Sequence, residues 1–587
     1  MDQKNMIMAV AISIAILLAY QFFYELPRLR EQTEIAQQQT AIQSTAEATA
    51  TGDAASTTGA GEVPAVPGAT DQAAPAADRA TVLALGPRVA IKAPQVTGSI
   101  ALTGARIDDV SLPDYRTEVK SGSPAVDLLN PSDAPSTYFA EFGWVGAAGT
   151  TTPLPTAETV WTADRATLEP SQPVTLTWDN GQGVRFVQRI AIDEHFLFTV
   201  TQRVENNGAA PITLYPYGLI SRHEEPATLG FWILHEGLLG VFGGTLTEVD
   251  YDEIRDEGWR KIEPDPKQPS TGGWIGITDK YWLAALVPDQ AAPFTGYFRH
   301  TAKDGGERFQ VDFLREAVTI APDTSHEASA RLFAGAKVVS IVEGYRDGLG
   351  VARFDLAIDW GWFPFLTKPL FKLLDWFYRQ VGNFGIAIML LTVVVRLAFF
   401  PLANKSYQAM SKLKKLQPEM VKLRERYPDD KAKMQQELMA LYKREKANPA
   451  AGCLPILLQI PVFFALYKVI FVTIEMRHAP FYGWIRDLSV PDPTTIFNLF
   501  GLIPWTPPQF LMIGLWPLAM GVTMFLQQKI NPQPPDPTQA KIMMMLPIVF
   551  TFILAPFPAG LVIYWTWSNL LAIAQQWLIM KRMGVKA

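Results

Sequence analysis

Five stretches of this chain hold apolar residues in runs longer than an ordinary core helix needs. Met6 to Tyr24 contains no charged residue, and at about 1.5 Å rise per residue it nearly crosses a hydrocarbon core about 30 Å thick. It predicts an N-terminal membrane anchor over residues 1–25. A cleaved secretory signal is the competing reading, but the run exceeds an ordinary signal core and Tyr20 to Arg30 has no small-x-small cleavage site. Four more runs lie far downstream: Phe384 to Leu402, Leu454 to Val472, Phe510 to Gln527, and a tract from Ile542 to Met580. The last is too long for one span. Pro556, Pro558 and Gly560 near its middle favour a tight turn, which splits it into two helices and makes six spans in all.

Between the first and second spans the pattern changes twice. Residues 26–80 are mostly Ala, Thr, Gln, Gly and Pro, too poor in large apolar side chains to offset the entropy of ordering, and read as a disordered linker. Residues 81–350 alternate in short runs between turn residues. Val174 to Trp178, Asn180-Gly181 and Val184 to Ile192 read as a hairpin, and His195 to Val204 continues the alternation. This predicts a large all-β sandwich of two packed sheets. Residues 357–381 are rich in Trp and Phe, with Lys368, Lys372, Asp375 and Arg379 at helical spacings on one face. They predict an amphipathic helix in the membrane interface, the alternative being a core helix of the β domain.

The second span, 384–402, is followed by a basic segment, 403–449. Met410, Leu413, Leu416, Met420 and Leu423 recur at spacings of three and four, Tyr427-Pro428-Asp429-Asp430 supplies a turn and an N-cap, and Met434, Leu438 and Leu441 resume the period. A helical hairpin is expected, with a kink near Gln417 because Pro418 interrupts its first arm. Residues 450–580 hold spans three to six and 581–587 form a short basic tail. The fold class is thus a six-span α-helical membrane bundle, plus a large all-β sandwich outside the membrane.

Composition supports this division. Of 587 residues 48% are apolar and 18% charged, with mean hydropathy +0.09, high for a soluble protein. The single cysteine, Cys453, excludes an intramolecular disulfide and any thiolate metal cluster. Net charge is -6, yet Asp53 to Asp355 carries about forty acids against about twenty-four bases, while Asn404 to Pro449 has twelve bases against six acids. The basic hairpin belongs on the cytoplasmic side; by parity so do both termini and the loop with Lys529 and Lys541, and the β domain falls outside. Arg28 and Arg30, just beyond the first span on the outer side, oppose that assignment locally.

One residue does not suit a membrane. Arg396 sits inside the second span, and Asn404, the nearest clearly interfacial residue, is about 12 Å further along a helix. Its guanidinium costs at least about 2.5 kcal/mol there, so it faces protein or a wet recess, or snorkels to the headgroups. No Asp or Glu in the other spans offers it a partner. Thr392 lies one turn before it, and Gln459, Thr523, Thr566, Ser568 and Asn569 are polar candidates for the same recess, though each more often bonds its own backbone or a neighbouring helix.

The tract from Arg396-Leu397-Ala398-Phe399-Phe400-Pro401-Leu402 through Met439-Ala440-Leu441-Tyr442-Lys443, Asn448-Pro449 and Gly452-Cys453-Leu454-Pro455 to Gln459-Ile460-Pro461-Val462-Phe463-Phe464-Ala465-Leu466-Tyr467 resembles the YidC family of bacterial membrane protein insertases. The resemblance continues in Gly521-Val522-Thr523-Met524-Phe525 and in Pro558-Ala559-Gly560-Leu561-Val562-Ile563-Tyr564-Trp565 with Ser568-Asn569. It implies five core helices around a hydrophilic groove, open to the cytoplasm and to lipid and closed outside. Arg396 would be the groove arginine, Thr392, Gln459, Trp565 and Ser568 would line the substrate-binding groove, and Ile460 would belong to an apolar slide by which a client helix leaves. It further implies a β-supersandwich similar in fold to sugar mutarotases, an inner-membrane location with a periplasmic domain, and nascent membrane proteins, the lipid bilayer, the Sec translocon and ribosomes as partners. No cofactor, metal, nucleotide or specific nucleic acid is implied, and no catalysis. Trp565 stands where some relatives have tyrosine, and the tail after Met580 is short for ribosome binding.

Two other readings remain at this point. A solute transporter or channel could use Arg396 to bind an anion; it would need inverted repeats, which the spans lack, and would show saturable anion uptake. A carbohydrate enzyme or binding module could use His223-Glu224-Glu225 as acid and base; sugar binding to the outer domain would favour it, and the absence of any recognisable catalytic motif opposes it.

Overall fold

The computed structural model describes Val66 and residues 77–584, apart from 229–233, 263–270, 293, 304–305, 429, 446–453, 502, 504, 506, 509–511 and 532–536. The expected anchor, nearly all of the expected linker, Cys453 and the end of the tail therefore lie outside the described residues.

Two large, mainly antiparallel sheets form the first half, of eleven and nine strands among the described residues. The expected hairpin is there. Val174–Asp179 pairs with Val184–Ile192, and Leu197–Asn206 continues the sheet with Phe198 opposite Ile192. Its turn works because the Asn180 carboxamide oxygen accepts from the amides of Gln182 and Val184, while Gly181 takes φ +71° without steric cost. Along Val184–Ile192 buried and open positions alternate, the signature of a sheet with one covered face. Gly237–Phe242 and Gly273–Thr278 are buried at every position instead. Trp274 there meets Phe354 of a short 3-10 helix edge-on at 5.5 Å. The sandwich core runs on without a break into the helices that follow.

Nine helices carry the rest of the argument: α1 Val339–Gly348, α2 Pro364–Val381, α3 Phe384–Ala398, α4 Phe400–Arg426, α5 Lys431–Arg444, α6 Leu454–Val472, α7 Leu515–Ile530, α8 Pro537–Leu554 and α9 Ala559–Arg582. Helix α2 buries Thr367, Leu370, Phe371 and Leu374 and leaves Phe365 and Trp376 exposed. Its charged face is tied largely to the β domain and α1: Lys368 pairs with Asp355 and Lys372 with Glu343, while Arg379 pairs with Asp375 within the helix. It is thus a bracket between the two halves, with aromatic side chains on its free side.

Helix α3 starts at Asn383, whose side chain accepts from the Ile386 amide. The expected span to Leu402 stops early, at Ala398, where the chain turns by 69° into α4. Pro401 explains this, because it lacks the amide that would bond Leu397 and its ring would crowd that carbonyl. Helix α4 runs on through Pro418, beside which a kink near Gln417 is expected, without ending there. Helices α4 and α5 pack through Leu413, Leu416 and Met420 against Leu438, Leu441 and Tyr442, and Asp430 caps α5 by accepting from the Lys433 amide. Lys414 donates to the Ile530 carbonyl at the end of α7, and Lys415 to the Met583 carbonyl beyond α9. Both cations thus sit at helix C-termini, where the backbone dipole favours them.

Helix α7 begins at Leu515, later than the expected Phe510, with Pro517 in its first turn. The long apolar tract divides as expected, α8 ending at Leu554 and α9 starting after Pro558; the Ala559 and Gly560 amides donate to Val490 and Leu488 carbonyls. Among the described residues no single helix is long and apolar enough to cross a membrane, and the bent pair α3 and α4 passes that test together.

Candidate functional site

Arg396 lies in the last turn of α3, half-buried, against α9. Its Nε donates to the Ser568 hydroxyl at 3.2 Å, and its Nη2 donates to the same hydroxyl at 2.7 Å and to the Ser568 carbonyl at 2.8 Å. Among the described residues no carboxylate pairs with it. A guanidinium has five N–H donors, and these three bonds leave others free for a ligand or water.

The other expected residues separate into two groups. Ser568 is buried and directly engaged. Gln459 lies near: its amide donates to the hydroxyl of Tyr564, which stands one turn before Ser568 on the same face of α9. Thr392 is buried, but its hydroxyl donates to the Ile388 carbonyl at 2.7 Å, the ordinary behaviour of threonine in a helix. Trp565 faces α6 and stacks on Phe463 at 4.4 Å. Ile460 is 45% exposed and follows Gln459 directly, so apolar surface adjoins the polar cluster. Thr566 also bonds its own backbone, and Thr523 accepts from Asn569 at 3.2 Å.

Tyr564 was not among the residues singled out from sequence. It is 1% exposed, accepts from the Gln459 amide of α6 and stands one turn before Ser568 on α9. Its four-residue spacing to Ser568 was the available signal; without knowing which face of α9 meets α3, that spacing meant little.

His223, at the end of an interior strand, accepts from Arg308 at 3.1 Å, and Glu225 binds Arg255 at 2.7 Å, so these two are engaged by arginines. A cavity of roughly 660 Å³ between the β domain and α6 contains the pairs Lys468–Asp359 and His235–Asp250, at 2.5 and 2.9 Å, the second holding the Asp250 carboxyl below its usual range through the His235 hydrogen bond. Among the described residues no cluster of His, Cys, Asp and Glu could hold a metal ion.

A family model of the YidC periplasmic domain matches residues 88–373, and one of the 60Kd inner membrane protein matches residues 376–586. The membrane protein insertase YidC of Methylorubrum extorquens is 52% identical over 597 residues, covering 100% of this chain and 96% of its own. That of Beijerinckia indica is 51% identical over 599 residues, with 100% and 97% coverage. A solved active YidC insertase with its first transmembrane domain resolved covers 84% of this chain and 95% of its own at 16% identity and TM-score 0.35, a score that leaves the assignment to the sequence matches. Those matches take in both halves of the molecule, and the chain therefore belongs to the YidC family: it is a membrane protein insertase of the inner membrane, not an enzyme, and carries a large periplasmic β domain.

Proposed function

We propose that this insertase receives a nascent apolar segment in a hydrated groove that opens to the cytoplasm, with Arg396 attracting the segment's acidic or polar leader. Thr392, Gln459, Trp565 and Ser568 line the path and Ile460 begins the apolar slide toward lipid. No nucleotide is needed. Each methylene that passes from water into lipid favours release by about 0.8 kcal/mol, and a guanidinium paired with serine alone takes up the leader without first breaking an ion pair of its own. The observation that carries this reading is the half-buried Arg396, bonded to Ser568 with no carboxylate partner among the described residues.

The topology that goes with it has six spans, the first in residues 1–25. The basic α4–α5 hairpin and both termini are cytoplasmic and the β domain is periplasmic, following the excess of Lys and Arg in residues 403–449. The Sec translocon and the ribosome are the expected working partners, the ribosome through the hairpin and the tail. The test is reconstitution in liposomes with a small single-span client bearing an acidic leader. Insertion should proceed with the purified protein, fall at least about tenfold on Arg396→Ala, and survive Arg396→Lys; failure of the wild type to insert, or indifference to Arg396→Ala, rejects the groove role. Membership of an insertase family leaves the anion transporter without an observation in its favour.

A further inference from the structure

We propose that the loop leading from Asp492 into α7 lies in the lipid interface on the periplasmic side, with Leu499, Phe500, Ile503 and Trp505 among the acyl chains. This takes α7 as one of the spans proposed above.

Contacts set the side. Between α6 and Asp492 the chain is bonded to the β domain: Arg477 donates to the Arg116 and Thr117 carbonyls, and the Tyr281 hydroxyl to Ser489 at 3.1 Å. This end of the helices therefore faces the periplasm with that domain. From there on, residues 493–528 hold no charged residue, yet α7 takes up only Leu515–Ile530. Its 16 residues reach about 24 Å, about 6 Å short of a hydrocarbon core about 30 Å thick. Lys529 in its last turn holds the far end at the opposite headgroups, so the shortfall lies on the side of the loop.

The loop presents apolar surface there. Ile496, Phe497, Leu499, Phe500, Ile503 and Trp505 are exposed, and α7 continues with exposed Leu515, Val522 and Leu526 at spacings of seven and four, on one face. Leu499 and Phe500 both take left-handed backbone, with φ +50° and +58°, which bulky side chains rarely adopt. Each is 52% exposed, so packing within the protein does not hold the turn, and acyl chains around both side chains supply what does. The base of the loop is fixed. Buried Asp492 accepts from the Trp484 Nε1 at 3.0 Å, the Thr494 hydroxyl at 2.7 Å and the Trp516 amide in the first turn of α7 at 2.9 Å. Gly514 permits this approach, since a Cβ there would fall 2.4 Å from the Asp492 carboxyl carbon. Within the loop the Phe500, Ile503 and Trp505 amides donate to the carbonyls of Thr495, Asn498 and Ile503. Irregular backbone stays out of the hydrocarbon, so the loop lies at the headgroup boundary and only its side chains reach the acyl chains.

The test uses the full chain with Cys453→Ser and one new cysteine at a time: Phe500→Cys, Ile503→Cys, Val522→Cys or Ser121→Cys. Each is labelled with nitrobenzoxadiazole and reconstituted in vesicles of phosphatidylethanolamine and phosphatidylglycerol. Phospholipids bearing a nitroxide near the headgroup or near the chain end quench from the lipid, and iodide on both sides quenches from water. At 500 and 503 the shallow nitroxide should remove about half of the emission, about twice the effect of the deep one, as for side chains about 5–10 Å into the boundary. Iodide should act there at least about fivefold less than at 121, in an exposed turn of the β domain. The label at 522, midway along α7, should respond most to the deep nitroxide. Iodide quenching at 500 and 503 equal to that at 121 overturns the proposal. So does protection from both quenchers, which means that protein covers the loop, and so does a stronger response to the deep nitroxide. Absence of lipid quenching at 522 rejects α7 as a span; lipid quenching at 522 with full iodide quenching at 500 and 503 rejects the placement of the loop alone.

Discussion

Arginines of the β domain and the groove arginine of the helical half are partnered in opposite ways. In the sandwich three arginines face carboxylates, Arg106 with Glu141 at 2.9 Å, Arg222 with Asp279 at 2.7 Å, and Arg299 with the fully buried Asp312 at 2.8 Å, while the buried Lys337 donates to the Thr278 hydroxyl. In the helical half Arg396 has only a serine. Desolvating a charge costs several kcal/mol unless a partner compensates, so a paired ion serves the fold and leaves nothing over, whereas an unpaired one keeps its attraction for something that arrives later.

The largest effect expected from breaking this contrast lies in the sandwich. Arg299→Met strands Asp312, whose carboxyl burial already pushes upward against the pull of Arg299, and should cost about 3–5 kcal/mol in denaturant unfolding of the full chain. Insertion by the fraction that stays folded should be unchanged.

The next effect lies at the junction between the halves. Glu475, in the short turn after α6, accepts from the Val339 amide at the start of α1 at 3.0 Å, and burial pushes its carboxyl up to about 7 from 4.5. A carboxyl raised on folding favours the fold most while protonated. Its contribution is therefore full below pH 4.5, declines as pH rises toward 7 and is level above that. The junction should weaken by about 1–3 kcal/mol across that window, read as increasing protease access between the halves. Glu475→Gln should flatten the pH profile; an equally steep profile in that variant would assign the effect to other groups.

The smallest stability effects should come from the site. Arg396→Ala should stay within about 1 kcal/mol of wild type, since Ser568 can bond its own helix, and Thr392→Val within about 0.5 kcal/mol. A loss at Arg396 as large as that at Arg299 would make it a structural ion and erase the comparison.

Much of this was legible in the chain. The Val174–Ile192 hairpin followed from alternation and Asn-Gly chemistry, the α8–α9 division from Pro556, Pro558 and Gly560, and the α5 cap from Asp430, because each depends on residues close in sequence. Pro401 and Pro418 show where local rules stop. Both lack the amide, yet one helix ends just before the first, which then opens the next, while the second lies inside a continuous helix. At the site, Arg396 stood out by its cost, and Ser568 was one of several polar candidates. Tyr564 was hidden because its contact with Gln459 depends on the rotation of α9 against α6, a tertiary property that periodicity within one helix does not contain.

The central claim is that the guanidinium meets water from one side of the membrane only, and the direct measurement is labelling of Arg396→Cys in a chain also carrying Cys453→Ser. A membrane-impermeant maleimide should react from the cytoplasmic side and not from the periplasmic side. Reaction from both sides, or from neither, contradicts the account.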